Sequence, residues 1–282
     1  MNRFLLVTIA LLAIIALAAG CGGGKEEPKD QGSEPQAQSK GKLIIGSDTA
    51  YAPFEWQDTA SGKYIGFDMD LIDAVCKEAG YEYEIQSMTF DGLIPAMTSG
   101  TIDACISAMT IKPERAEKVN FTDPYYKSGL IIAVKSDNEN IQSFDDLKGK
   151  KIGVQLGTTG ADMARTVEGA KVTDYDRIPE AFLALKQGSV DAVVNDAPVT
   201  LYAINKDEKG AVKVVGDMLS SEFYGIAVPK SKPEVYEDLN KALNTLKQNG
   251  KFTEIYKEWF GQEPPADLMT ITVEQALEAY GK

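Results

Sequence analysis

AMTSGTIDACIS, residues 96–107, returns as ALKQGSVDAVVN at residues 184–195. Each copy reads as a helix end, a glycine stop and a strand that opens hydrophobic-Asp-Ala. Gly100 and Gly188 sit where a helix needs a left-handed residue to close. A second pair lies upstream in the same order: Lys42-Leu43-Ile44-Ile45-Gly46 opens one half and Lys151-Ile152-Gly153-Val154 the other. Two echoes in one order predict two similar lobes. Between the echoes, strands and helices alternate, the pattern of α/β layers. Leu71, Ile72, Val75, Cys76 and Ala79 are spaced to fill one face of a helix that starts near Asp68 and stops at Gly80. Tyr81, Tyr83 and Ile85 alternate with charged residues, as in a half-exposed strand. Leu93, Ile94 and Met97 make a second helix, and residues 102–106 the next strand.

Ligands of open α/β sheets bind beyond the carboxyl ends of the strands. Here those ends are Ser47 and Asp48, Ser107 to Thr110, Gln155 to Gly160, and Asn195 with Asp196. All four are polar or carry glycine, and they come from both lobes. They predict a small-molecule cleft between the lobes.

The rest of the chain narrows the chemistry. The net charge is −13, the wrong sign for a nucleic-acid partner. Histidine is absent, which removes the commonest general base and the commonest metal ligand together. Cys76 and Cys105 occupy apolar positions and read as buried thiols, with a disulfide as the alternative outside the cytoplasm. A zinc site needs more Cys or His than this, so neither metal nor cofactor is expected.

At the start, Arg3 precedes an apolar run from Phe4 to Ala19 broken only by Thr8. The run is short of the roughly 20 residues that span a bilayer, and it suits a secretory signal. Leu17-Ala18-Ala19-Gly20-Cys21 follows. Residues 22–42 are almost all Gly, Lys, Glu, Pro, Gln and Ser, too polar to fold alone, and read as a tether.

Single residues in the cleft are ambiguous by themselves. Gly157-Thr158-Thr159-Gly160 lies between a strand and a helix, where free N–H groups favour an anion, but it lacks the spacing and lysine of a P-loop. Arg115 follows Pro113 at a helix start, and arginine grips carboxylates with two parallel bonds. Asp196 closes a strand among apolar neighbours. It could meet an ammonium group or cap the helix over Val199 to Ile204. Asp68 and Asp70 read as helix-start acids, and Trp56 and Trp259 as packing.

Several segments then resemble one family, the polar amino-acid branch of bacterial solute-binding proteins. Gly66-Phe67-Asp68-Met69-Asp70-Leu71, with Val75-Cys76 and Ala79, is similar to its signature. Similarity continues through Tyr51-Ala52-Pro53-Phe54-Glu55, Phe90-Asp91-Gly92-Leu93-Ile94-Pro95 and Thr110-Ile111-Lys112-Pro113-Glu114-Arg115. It runs on through residues 121–126, 157–160, 195–198 and 224–227 to Ile255-Tyr256-Lys257-Glu258-Trp259-Phe260-Gly261. Residues 42–261 are covered. Leu17 to Cys21 resembles the bacterial lipobox, whose cysteine is freed and acylated.

The resemblance implies a two-lobed periplasmic-binding-protein-like α/β fold of type II, with hinge crossovers near Tyr126–Leu130 and Ser221–Gly225. It implies a lipoprotein signal at 1–20, an acylated Cys21 and disordered tether at 21–42, lobe 1 at 43–127 and 223–263, lobe 2 at 128–222, and an extension at 264–282. Val273, Ala276, Leu277 and Tyr280 suggest a short amphipathic helix in the extension. The implied function is the lipid-anchored extracytoplasmic receptor of an amino-acid ABC importer, monomeric, working with separate permease and ATPase subunits. Arg115 would hold the ligand carboxylate, with backbone from Thr110 and Thr159 and the neighbouring Thr158. Asp196 would hold the ammonium, with the Ser107 carbonyl and the Thr110 hydroxyl. Tyr51 and Phe90 would sandwich the side chain, and Asp48, Gln155 and Asn195 would line its far end. Ala108 stands where some relatives carry serine.

Asp48 has no visible cationic partner in the sequence. An unpaired carboxylate there favours arginine or lysine, with glutamine close behind and glutamate repelled. The alternative function is an exported cyclohexadienyl dehydratase-like enzyme on the same scaffold. It would need a general acid in the cleft, where only Asp48 and Asp196 stand.

Overall fold

The computed structural model describes residues 39–207 and 209–280. The proposed signal, Cys21 and most of the tether lie outside the described residues. The last tether positions are docked on the body: the Lys40 N–H donates to the Gly80 carbonyl at 2.8 Å.

The first sheet region begins with β1 (Lys42–Ser47), the short strands β2 (Ala50–Tyr51), β3 (Glu55–Gln57) and β4 (Tyr64–Ile65), and helix α1 (Phe67–Ala79). It continues with β5 (Glu82–Ser87), α2 (Phe90–Thr98), β6 (Ala104–Cys105), α3 (Pro113–Ala116) and β7 (Val119–Phe121). The chain then crosses on β8 (Tyr126–Ser128) to β9 (Leu130–Lys135), β10 (Lys151–Gln155), α4 (Thr159–Arg165) and β11 (Lys171–Tyr175). After α5 (Ile178–Lys186), β12 (Ala192–Asp196), α6 (Ala197–Asn205) and β13 (Val212–Val215), it returns on β14 (Glu222–Tyr224). The remaining elements are β15 (Ala227–Pro229), α7 (Pro233–Asn249), α8 (Lys251–Phe260) and α9 (Val273–Ala279).

Two five-stranded sheets result, in the orders β5-β1-β6-β15-β7 and β11-β10-β12-β9-β13. In each, the first three strands are parallel and the last two join antiparallel. The echoed sequences therefore occupy matching places: β1 with β10, α2 with α5, and β6 with β12. The strand expected over 102–106 is only two residues long: the Asp103 N–H still donates to the Ile44 carbonyl at 2.7 Å, but no backbone carbonyl takes the Ile44 N–H in return. The Asp103 carboxylate instead accepts the Ile44 N–H at 2.6 Å and pairs with Lys232.

The two crossings lie side by side. β8 and β14 pair antiparallel, Tyr126 opposite Tyr224 and Ser128 opposite Glu222. Helix α1 buries the expected apolar face, and Gly80 closes it at φ 82°, a left-handed position that glycine adopts without strain. Phe54, Phe67, Tyr126, Tyr224 and Phe260 pack edge-on, tilted or stacked beside the crossings, with centroids 4.8–6.2 Å apart. Trp56 and Trp259 pack edge to face at 5.5 Å, as expected of packing residues. Cys76 and Cys105 are buried free thiols.

The extension folds back onto the crossings. Lys247, 5% exposed, donates to the Pro124 and Leu268 carbonyls, and Lys127 pairs with Asp267. Asp123 accepts the N–H of Val273 at the start of α9. Among the described residues, no helix is long and apolar enough to cross a membrane.

Candidate functional site

Asp68 is the first surprise. The sequence places it as a helix-start acid, yet it makes no capping bond. It is fully buried and accepts the Ala108 N–H at 2.8 Å and the Tyr125 hydroxyl at 2.9 Å. Ala108 has φ 43°, in the left-handed region that costs a residue with a Cβ. Asp68 thus holds the turn after β6 in a conformation it would not choose unaided. Glu55, also fully buried, accepts the Ser107 hydroxyl at 2.8 Å, and that hydroxyl oxygen accepts the Asp48 N–H. Burial pushes Asp68 up to about 6, against the pull of its donors. Burial and the Asp68 charge push Glu55 well above the carboxylate range.

A small, nearly closed cavity lies between the sheets, beyond the carboxyl ends of their strands. Its walls are Tyr51, Phe90, Ala108, Thr110, Arg115, Gln155, Thr158, Thr159 and Asp196. Nine of the twelve expected ligand residues therefore meet around one space. Asp48, Ser107 and Asn195 stand one layer behind. Ser107 turns to Glu55, and Asn195 accepts from the Tyr51 hydroxyl at 2.9 Å. A wider groove opens between Ala50, Ala52 and helices α5 and α6. Among the described residues its charged lining is Lys186 and Lys206 in a largely apolar wall, whereas the small cavity brings the Arg115 guanidinium and the Asp196 carboxylate together.

Arg115 enters from α3, where Pro113 starts the helix. It is 5% exposed, with its guanidinium 5.1 Å from the Phe90 ring centroid. It donates to the Thr110 carbonyl at 2.9 Å and, across the cleft, to the Gly157 carbonyl at 3.0 Å. Burial lowers its pKa, and the charges of Glu222 and Asp162 oppose that. Phe90 is thus stacked near Arg115, while Tyr51 turns its hydroxyl to Asp196.

Asp196 stands at the N-terminus of α6 but caps nothing there. One carboxylate oxygen, Oδ2, accepts from Tyr51; the other, Oδ1, is buried without a hydrogen-bond partner among the described residues. Burial, then the Glu222 charge, push its pKa up to about 7, against the pull of Tyr51, Tyr224 and Arg115.

The expectation about Asp48 is corrected. Its Oδ1 lies 3.0 Å from Arg177 Nη1, and its Oδ2 accepts from Gln155 Nε2 at 2.8 Å. Burial still raises it to about 6. Arg177 follows β11, another strand end, and the strand-end rule would have found it had β11 been included. Glu222 was missed as well. It is 2% exposed on β14 and accepts hydroxyls from Thr110 at 2.7 Å, Thr159 at 2.9 Å and Ser220 at 2.9 Å. Its one sequence signal is its place inside the expected crossover.

Two like-wound α/β halves, joined by two adjacent crossings and enclosing a polar cavity, define a two-lobed type II binding protein. The chain belongs to the bacterial extracellular solute-binding proteins, family 3, whose family model matches residues 43–262. The arginine-binding extracellular protein ArtP of Bacillus subtilis (strain 168) is 35% identical over 268 residues, covering 93% of this chain and 100% of that protein. The ABC transporter glutamine-binding protein GlnH of the same organism is 33% identical over 273 residues, covering 93% and 98%. An ancestral arginine-binding protein bound to arginine is 45% identical with a TM-score of 0.76, covering 79% of this chain and 100% of that one. An ancestral arginine-binding protein bound to glutamine matches at the same identity and TM-score, covering 80% and 100%. These relatives are binding proteins, and the chain is a binder rather than an enzyme.

Proposed function

We propose that this chain is the receptor subunit of an ABC importer for a polar L-amino acid, with arginine favoured, then lysine, and glutamine close behind. The carrying observation is Asp196 Oδ1, a buried carboxylate oxygen without a donor, in the wall of a cavity that also holds the Arg115 guanidinium. A zwitterion supplies both missing charges. Burying either protein charge without a partner is costly, so each favours a ligand that completes it.

The side-chain preference no longer rests on Asp48, which has Arg177. It rests on two other features. Gln155 Oε1 is a buried acceptor without a donor, which suits a side chain that donates and disfavours the acceptor-only glutamate. Four buried carboxylates, Asp48, Asp68, Asp196 and Glu222, surround the cleft against the guanidiniums of Arg115 and Arg177, while burial and the Asp68 charge keep Glu55 from adding a fifth charge. Such a field favours a cationic ligand.

Residues 43–127 and 223–263 form one lobe of this receptor and 128–222 the other, closing about β8 and β14. Cys21 carries the lipid anchor, the protein acts as a monomer, and separate permease and ATPase subunits complete the importer. Mass spectrometry of the membrane-extracted protein checks the anchor; an unacylated Cys21 removes it. A thermal-shift panel of the twenty amino acids tests the ligand, since binding stabilises by RT ln(1 + [L]/Kd). Arginine is expected to give the largest shift. No shift with any amino acid overturns the receptor reading. A large shift with glutamine and none with arginine or lysine overturns the cationic preference alone.

A further inference from the structure

Glu222 is a buried carboxylate outside the cavity wall, yet it governs two residues that are in it. Its Oε2 accepts the Thr110 hydroxyl at 2.7 Å and the Thr159 hydroxyl at 2.9 Å, while Oε1 accepts from Ser220. Thr110 belongs to the first half of the fold and Thr159 begins α4 in the second, so one oxygen ties both halves beside the crossings.

A carboxylate only accepts hydrogen bonds, whereas a hydroxyl has one proton and two lone pairs. With both threonine protons directed at Glu222, neither hydroxyl can donate into the cavity. Both oxygens can only accept there. They lie within one hydrogen bond of the same atom, so a single ligand group can reach both. We infer that Glu222 is a positioning residue: by taking the Thr110 and Thr159 protons, it turns both hydroxyl oxygens into acceptors for the α-ammonium of the ligand. This rests on the amino-acid reading above. It assigns the carboxylate end of the ligand to N–H donors, Arg115 among them. It also explains why an acid stands on a crossing strand with three hydroxyl donors and, among the described residues, no paired cation.

The test compares each amino acid with its analogue lacking the α-amine, by titration calorimetry at pH 8. The probes are L-arginine with 5-guanidinopentanoic acid, and L-glutamine with glutaramic acid. The ratio of the two affinities reports the ammonium site alone. Glu222→Met, similar in length but unable to accept strongly, is expected to shrink that ratio by at least about tenfold, the weight of one hydrogen bond to a charged group. Glu222→Gln keeps an acceptor oxygen for the two threonines and is expected to hold the ratio within about threefold. If Glu222→Met folds poorly, Thr110→Val in the otherwise native chain reads the same ratio and is expected to lower it. Equal losses for an amino acid and its analogue, with the ratio unchanged, would overturn the inference and leave Glu222 a purely structural residue. If the unmutated chain binds none of the twenty amino acids, the amino-acid reading has failed and the inference falls with it.

Discussion

The two halves of the molecule share a strand order and differ in charge. At the end of β6 the chain makes a strained turn at Ala108, held from behind by Asp68, and goes on to Arg115. At the matching end of β12 it passes through Asn195 and Asp196 straight into α6. One half offers a guanidinium and the other a carboxylate, across one cavity. On the proposed reading, these two residues divide the neutralisation of a zwitterion between the halves, so the ligand's two charges would act as the link that favours closure. A ligand drives closure only if it binds the closed form better. Dividing opposite charges between the halves supplies that difference.

The largest effect should come from removing either member of this divided pair. Arg115→Ala and Asp196→Ala are each expected to weaken arginine binding by about 2–5 kcal/mol, the usual cost of leaving one buried charge unpaired. Titration calorimetry checks both. A loss below threefold for either would show that the contrast between the halves does not carry recognition.

Acidity should erode the same contrast from one side only. Asp196 sits at about 7 because burial disfavours its charge. An ammonium beside it lowers that value, so binding requires proton release below pH 7. Affinity should fall by about tenfold per pH unit between pH 7 and pH 5, while Arg115 keeps its charge. The ligand-free protein should respond in the opposite direction. Asp48, Asp68 and Asp196 are raised from the usual 3.8 to about 6, 6 and 7. The folded state therefore binds more protons than the unfolded state across that window. The stability these groups contribute is complete below about pH 3.8 and is lost as pH rises through 6 to 7. The ligand-free Tm should be higher at pH 5 than at pH 8, and the shift given by arginine larger at pH 8. An affinity that is flat from pH 8 to 5 would contradict the assignment of Asp196 to the ammonium.

The sequence made the symmetric part of the molecule legible and hid part of the asymmetric part. Echoed glycines and Asp-Ala strands located β1, β6, β10 and β12, because helix caps and buried parallel strands depend on local residue types. Strand ends then named six of the nine residues that wall the cavity, Ala108, Thr110, Gln155, Thr158, Thr159 and Asp196, while Tyr51, Phe90 and Arg115 were assigned through the family resemblance. Asp68 was misread because a helix-start acid looks the same in sequence whether it caps a helix or reaches across to Ala108. Glu222 and Arg177 were missed for a related reason. Their partners are 63 or more residues away in the chain, at Thr110, Thr159 and Asp48. Contacts between two halves leave no periodicity in either.

Arg177 gives the smallest predicted effect and the finest test of the comparison. It belongs to the second half and pairs with Asp48 of the first, so this contact also crosses the cleft, but with the charges reversed relative to Arg115 and Asp196. Its side chain is 32% exposed, whereas Asp48 is 1% exposed. Solvent therefore screens the pair, and its worth should lie near the upper end for exposed pairs, about 1 kcal/mol. Arg177→Ala removes a contact that exists only when the halves are together. It also removes the positive charge beside Asp48 Oδ1, while Gln155 stays the hydrogen-bond donor to Oδ2. The first consequence weakens binding of every ligand by about fivefold. The second works against it for cationic ligands alone, because a less compensated Asp48 attracts a positive side chain. Arg177→Ala should thus weaken glutamine more than arginine at pH 8, widening the arginine-to-glutamine preference by a few-fold. Asp48→Asn made in the same background should cancel that widening, since no charge remains to attract. Calorimetry on the two single variants and the double variant reads the coupling directly. If Arg177→Ala changes neither affinity nor preference, the Asp48–Arg177 pair plays no part in closure or ligand choice, and the divided charge of Arg115 and Asp196 acts alone.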